Sequence, residues 1–298
     1  MTTTKAEKAK EKAKDLHNQM LAGIDKAMQN PTEWTAYLKV ATGFHDYSFG
    51  NQILIYTQMP TASLVAGFSK WKQYGRTVNR GEKSIRIWAP MTIKLKDEQG
   101  EIIRDEDGKP VRKTFFKPLP VFDIKQTSIV DAEKWAKHAP KLTAVTRFGV
   151  PVEKLTGPSD LAPMLIEAIE RRGYTVHFDA DLGTANGVTR FLPRRVEIAK
   201  DLQPAQIAKT LAHELAHIIL HSPDATGPRP QYDVGEIEAE SVAYLICQHL
   251  DLDSSAYSFG YIAGWSHNDF DAIKATCERV ITAAADLMEE LGTMALAA

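Results

Sequence analysis

The sequence predicts an α+β fold in two domains, and three observations predict it. Helical patterns over residues 5–59 give way to alternating, Ile-rich strands around 84–124, and no segment repeats. The chain has 298 residues and 44% hydrophobic content, enough for two ordinary domains with packed cores. Charge also divides. Residues 1–150 carry 25 Lys and Arg against 16 Asp and Glu, while 151–298 carry 11 against 22, so the net −2 conceals a basic half and an acidic half. The boundary is placed near residue 150, giving domains 1–150 and 151–298.

In chain order, residues 5–29 are rich in Ala, Lys and Glu and read as a helix. Pro31 and Thr32 open a second, PTEWTAYLKVATGF. NQILIYTQM is a third, ending at Pro60, and GFSKWKQYG is a short helix stopped by Gly75. SIRIWAPMTIKL alternates and reads as a strand; FFKPLPVFDI returns beside it across a polar hairpin arm, KDEQGEIIRDEDGKPVRK. Residues 131–160 hold three prolines and read as irregular. A helix at 158–172, a strand YTVHF and a hairpin GVTRFLPRRVEIAK follow. Pro204 suits the first position of the next helix. The loop HSPDATGPRPQYD breaks the chain before helices at about 235–250 and 270–291.

Several function classes fall away. No run of 18 apolar residues exists, so no membrane span is expected. The first 20 residues lack the apolar core of a signal peptide. Only Cys247 and Cys277 are present, which fits a reducing cytoplasm and excludes a cysteine-built zinc site. The H-x-E and P-C-x-x-C pattern of zinc deaminases, a G-x-x-x-x-G-K-[ST] phosphate loop and a nuclease carboxylate cluster are all missing. RDEDG reads as a turn rather than a calcium loop.

LAHELAHIIL, residues 211–220, places two histidines and a glutamate in an apolar run. Polar groups are costly to bury unless satisfied. His213 and His217 are four residues apart, on one helix face, where two imidazoles can hold one metal ion. Glu214 stands beside them, as in the H-E-x-x-H helix of zinc peptidases, where the glutamate is the general base. The competing reading is a pair of hydrogen-bonded core histidines, which leaves the glutamate without a purpose. His221, two turns beyond His213, is too far along the axis to share the ion.

A catalytic zinc needs a third protein ligand and an open position. GEIEAESVAYLI offers Glu236, Glu238 and Glu240. Glu236 and Glu240 share a face, and Glu238 points away. Glu236 is the preferred ligand, with Glu240 orienting a histidine behind it. For any one of the three, a favourable acid in a helix first turn is the rival explanation. The expected ion is Zn2+; Mn2+ and Co2+ suit the same donors. SAYSFGYIAGWSHND, with Tyr257, Tyr261 and His267, reads as packing near the cleft and stays outside the catalytic set.

HELAHIILH followed by EIEAESVAYLI resembles the ImmA/IrrE class of zinc-dependent endopeptidases. That resemblance implies Glu236 as third ligand; the class has Asn where this chain has Glu240. DYSFGNQILIYTQMP followed by VAGFSKWKQYGRTVNRGEKSIRIWAP resembles the N-terminal, single-stranded-DNA-binding domain of ArdC-type antirestriction proteins, with a core of about residues 30–125. The resemblance implies a zincin-like metallopeptidase domain behind it. It also implies a role on a plasmid or phage in protecting incoming DNA from restriction.

The residues of the first half agree in kind. Between Phe68 and Lys94 stand Lys70, Lys72, Arg76, Arg80, Lys83, Arg86 and Lys94 against one acid, Glu82. Trp71, Tyr74 and Trp88 are interleaved. Cations follow phosphates, and aromatics stack unpaired bases at roughly 1–3 kcal/mol each. The expected nucleic-acid contacts are Lys70, Trp71, Lys72, Tyr74, Arg76, Arg80, Lys83 and Arg86; for each aromatic, a core position is the competing fate. In DYSFGNQ, Ser48 reads as a helix cap, or Tyr47 and Asn51 as nucleic-acid contacts. Three functions remain open. The leading one is a cytoplasmic single-stranded-DNA-binding antirestriction protein and zinc peptidase acting on an unidentified protein or peptide. The second is a DNA-binding protection factor with a structural or inactive metal site, and the third a regulatory metallopeptidase that cleaves a repressor.

Overall fold

The computed structural model describes residues 5–28, 30–44, 46–97, 99–145, 158–225, 230, 232–249, 252 and 270–297. The fold is mixed α and β, in two compact units. The units do not meet at one point in the sequence. One comprises residues 1–24 and 50–137, the other 25–49 and 138–298.

The first unit holds the start of helix α1 (Lys5–Ala27), most of α3 (Phe49–Gln58) and α4 (Phe68–Gln73). Its strands are β1 (Val65–Ala66), β2 (Arg76–Val78), β3 (Ile85–Lys94), β4 (Arg112–Asp123) and β5 (Thr127–Ile129). β4 lies between β1 and β3, antiparallel to both, and β2 pairs with β5. The very short strands β1, β2 and β5 carry too few residues for a periodicity to show in the sequence.

The outer edge of β3 is closed by two side-chain amides from α3. Asn51 accepts from the Trp88 amide at 2.8 Å and donates to its carbonyl at 2.9 Å. Gln58 does the same for Arg86, at 2.8 Å in both directions. Asn51 is therefore a mimic of a neighbouring strand, 8% exposed, and the expectation of a nucleic-acid contact there fails. Pro90, Pro118 and Pro120 share ladder parity with Arg86 and Trp88, whose backbone groups face away from the partner strand. A proline there removes no ladder hydrogen bond, which is how FFKPLPVFDI stays a strand. At the end of β4, the buried Asp123 carboxylate accepts the Ser63, Leu64 and Lys125 amides at 2.6, 3.0 and 2.9 Å. The hairpin arm between the strands is two tight turns, at Asp97–Glu101 and Asp105–Lys109, each built on an Asp carboxylate accepting two amides.

The irregular reading of 131–160 fails over its first half: Ala132–Val145 is helix α5. Asp131 caps it by accepting the Lys134 amide at 3.0 Å. The Val130 and Asp131 amides bond the Gly75 carbonyl. Gly75, at φ +79°, has no room for a Cβ, which would lie 2.4 Å from the Asp131 carbonyl oxygen.

In the second unit, α6 (Pro158–Arg171), α7 (Pro204–His221), α8 (Tyr232–His249) and α9 (Phe270–Ala297) pack together, and α2 (Pro31–Gly43) packs on α8 and α9. A three-stranded sheet joins them: β8 (Arg195–Ala199) lies between β6 (Thr175–Ala180), parallel to it, and β7 (Gly187–Arg190), antiparallel. Trp34, Tyr37 and Leu38 explain why α2 belongs here. All three are fully buried; the Trp34 indole donates to Ser241 on α8 at 3.0 Å, and the Tyr37 hydroxyl meets Cys277 on α9. No helix among the described residues is long and apolar enough to cross a membrane.

Candidate metal centre and nucleic-acid surface

Pro204 takes the first helical turn of α7, where an amide has no partner to lose, and Gln206 reaches back to the Gln203 amide at 3.2 Å. Ala208, Leu211, Ala212, Leu215, Ala216 and Ile218 bury its apolar sides. The remaining stripe opens on a cavity of about 420 Å³ lined by His213, Glu214 and His217 of α7, Gly187 and Thr189 of β7, and Glu236 of α8.

One ligand atom each from His213, His217 and Glu236 lies within 4.8 Å of the others. The two Nε2 atoms are 3.0 Å apart, and the Glu236 carboxylate oxygens stand 3.4 Å from His213 Nε2 and 3.5 Å from His217 Nε2. Four ligands held tetrahedrally at about 2.0–2.1 Å around a zinc stand roughly 3.3–3.4 Å apart, so this donor set fits such an ion. Helix α8 begins at Tyr232, and its first-turn acid is Asp233. Glu236 is thus beyond the first turn, where the dipole explanation loses its force.

Each histidine turns its other nitrogen to a support. His213 Nδ1 is 3.0 Å from Glu240. His217 Nδ1 is 2.9 Å from His221 Nδ1, and His221 Nε2 is 2.9 Å from Glu238. Glu238 is fully buried and ion-paired to Arg279 on α9. For His217 to present a lone pair at Nε2, its proton sits on Nδ1 and donates to His221; His221 then donates from Nε2 to Glu238. This chain of groups was missed in the sequence. Along the chain His221 is legible only as a residue too far from His213 to share the ion, and Arg279, 62 residues from His217, gives no signal at all.

Electrostatics mark the same place. Burial disfavours a charged His213 ring, but hydrogen bonds to Glu236 and Glu240 and the charges of Glu214 and Glu240 outweigh it and push the imidazole up to about 10. Burial also acts against the Glu236 carboxylate, yet its bonds to His213 and His217 hold it well below the usual range. A cluster of acids here demands positive charge. Glu214 is 4% exposed, and Thr189 Oγ1 donates to its Oε2 at 2.7 Å. A Cβ on Gly187 would come within 2.8 Å of Glu214 Oε1 and 2.4 Å of Thr210 Cγ2, so glycine is what lets β7 pass this close. Tyr257, Tyr261 and His267 lie outside the described residues.

The expected nucleic-acid residues separate. Trp71 is fully buried and donates to the Phe122 carbonyl at 2.8 Å, so it is a core residue with no face for a base. Arg76 spends its guanidinium internally, on Thr127 Oγ1 at 2.7 Å, the Thr127 carbonyl at 2.9 Å and the Trp135 ring at 4.6 Å. Lys70, Lys72, Arg80, Lys83 and Arg86 are exposed, on α4, the 79–83 turn and the base of β3. Tyr74 is half-buried, with Lys70 Nζ 5.1 Å from its ring.

Residues 10–122 match the family model for the N-terminal domain of anti-restriction factor ArdC, and residues 164–258 match that for the IrrE N-terminal-like domain, a peptidase family. An uncharacterized Bacillus anthracis protein is 27% identical over 299 residues, covering 89% of this chain; the chain spans about half of that relative, 48%. The metal-free crystal structure of the antirestriction ArdC protein of plasmid R388 aligns with a TM-score of 0.51 at 18% identity, over 83% of this chain and 85% of that one. The Mn(II)-bound structure aligns over the same shares, at 18% identity, with a TM-score of 0.44.

Proposed function

We propose that the chain is an antirestriction-type protein with a metallopeptidase-like domain, on the ground that a match to the ArdC N-terminal model precedes a match to the IrrE-like peptidase model. The first unit binds single-stranded DNA through Lys70, Lys72, Tyr74, Arg80, Lys83 and Arg86. The second hydrolyses a peptide bond at a zinc ion held by His213, His217 and Glu236. The protein acts in the cytoplasm, on a plasmid or phage, in protecting incoming DNA. The observation that carries the peptidase reading is the convergence of three ligand atoms within 4.8 Å beside Glu214, in one cavity.

Zinc held by His213, His217 and Glu236 would supply an acidified water and a polarised carbonyl. Glu214, beside those ligands, would serve as the general base and then as the acid toward the leaving amine. Thr189 holds the Glu214 carboxylate from one side, at 2.7 Å, and limits its rotation. Glu240 and the His221–Glu238 pair keep the His213 and His217 rings aimed inward.

Metal analysis of a His213→Ala, His217→Ala double variant tests the site. Near-complete loss of bound zinc is expected, and retention of most of it sinks the assignment. Glu214→Gln keeps the metal and is expected to abolish hydrolysis. If that variant protects DNA as well as wild type does, the metal site serves structure rather than protection.

A further inference from the structure

Beyond Met91 the β3–β4 hairpin is a ribbon exposed on both faces. Antiparallel pairs share a face, and one face carries Arg86, Trp88, Pro90, Thr92 and Lys94 on β3 opposite Pro120, Pro118, Phe116, Thr114 and Arg112 on β4. Phe116 is 64% exposed, the most exposed large hydrophobic ring among the described residues, and Trp88 is half-buried on the same face, two residues inward from Pro90. Thr92 and Thr114 hydroxyls hydrogen-bond across the pair at 3.1 Å. Arg86, Lys94 and Arg112 are exposed, and β3 and residues 112–122 contain no acid. The acids of the arm stand farther out, in the turns over 97–107. At the base, Lys12 and Asp15 of α1 line a small cleft with Arg86 and Pro118.

An exposed phenylalanine by itself calls for no partner; what marks this face is that the ring lies in a row with Arg86, Lys94 and Arg112 and no acid. A protein partner for this row would meet cations at both ends without a matching acid on the ribbon itself. The opposite face carries Lys113 and Lys117 as well, but Met91, Ile93 and Phe115 there continue the core side of Ile85 and Ile87, and Phe115 is less exposed, 40% against 64% for Phe116. A polyanion with unpaired, stackable rings matches the Phe116 face in both respects. Arg86 and Lys94 are eight residues apart along one strand, about 27 Å. That length suits several nucleotides of an extended strand, with phosphates at the cations and a base on Phe116.

We infer that this face of the β3–β4 ribbon is a binding track for single-stranded nucleic acid, with Phe116 as its stacking platform and Arg86, Lys94 and Arg112 as its phosphate contacts. The inference rests on the DNA-binding reading of the first unit and adds residues that reading does not contain.

Fluorescence anisotropy with the full chain and a labelled oligothymidylate of about 20 nucleotides tests it. Phe116→Leu keeps an apolar side chain without a ring and is expected to weaken binding about tenfold; Phe116→Trp keeps it near wild type. Lys94→Ala with Arg112→Ala is expected to lower the slope of log affinity against log salt by about 1.4, the share of two phosphates. Wild-type melting of each variant checks the fold. Unchanged affinity for Phe116→Leu, or an unchanged slope for the double variant, overturns the track while wild-type binding leaves the DNA reading standing. Absence of wild-type binding at about 50 mM salt removes both. A wild-type dimer that Phe116→Leu converts to monomer, with DNA affinity unchanged, makes the ribbon a protein interface and overturns the track.

Discussion

Trp71 and Lys72 are adjacent in the sequence and opposite in fate. The short helix α4 points one inward, against β4, and the other to water. Composition alone reads both as nucleic-acid contacts, because a basic, aromatic-rich stretch looks the same whether its rings are core or surface. The ring stability contribution separates them. Trp71→Ala is expected to cost about 3–5 kcal/mol, read by urea unfolding, whereas Lys72→Ala stays within about 0.5 kcal/mol. The histidines were legible for a different reason. A spacing of four on a helix fixes their common face regardless of surroundings. Thr189 was not legible, since its approach to Glu214 is made by a sheet edge 25 residues away.

At the scale of elements, α8 shows what helical phase can and cannot tell. Phase separates Glu238 from Glu236 and Glu240. It does not say that α9 supplies Arg279 to the separated acid. The Glu238 carboxyl is held low: burial acts against its charge, and bonds to His221, Arg279 and Thr276 outweigh that. Glu238→Gln leaves Arg279 without its counter-charge. The expected loss is about 2–3 kcal/mol by thermal or urea unfolding, below the ~3–5 of a fully buried pair, because 30% of the Arg279 side chain stays in water. The same variant is expected to weaken zinc binding about 10–100-fold in a chelator competition. The β7–β8 hairpin has an acid of its own: the bonds from Arg190, foremost, and from Arg195 hold Glu197 below its ordinary value. A carboxyl lowered by folding stabilises at pH above its unfolded value, near 4.5, and loses that contribution as pH falls through the folded value. Melting temperature is therefore expected to fall below about pH 4.5, and Glu197→Gln to flatten that fall. An identical acid limb in the variant refutes the assignment.

For the whole molecule, the α+β class and the order of a basic half that matches the ArdC N-terminal model before a metallopeptidase-like half were legible, because strand alternation, helix phase and motif spacing are local. The division into compact units was not. Residues 25–49 precede the basic half's strands yet group with residues 138–298, since Trp34 and Tyr37 find their pockets on α8 and α9. Calorimetry is expected to show two transitions, of which zinc moves one. At a hundredfold excess over its dissociation constant the ion adds about 2.7 kcal/mol to the unit that holds it, roughly 5–10 °C for a unit of this size. Equal shifts of both transitions refute that. The sequence on its own dictates what neighbours along the chain impose: His213, Glu214 and His217 on one face, Pro204 at a helix start, a ribbon of alternating strands. Folding alone selects the partners that come from far away, Thr189 for Glu214, His221, Glu238 and Arg279 behind His217, Asn51 on the edge of β3, Trp71 in the core. Backbone geometry repeats every few residues and is written locally, whereas packing is decided by which distant surface can satisfy a buried group.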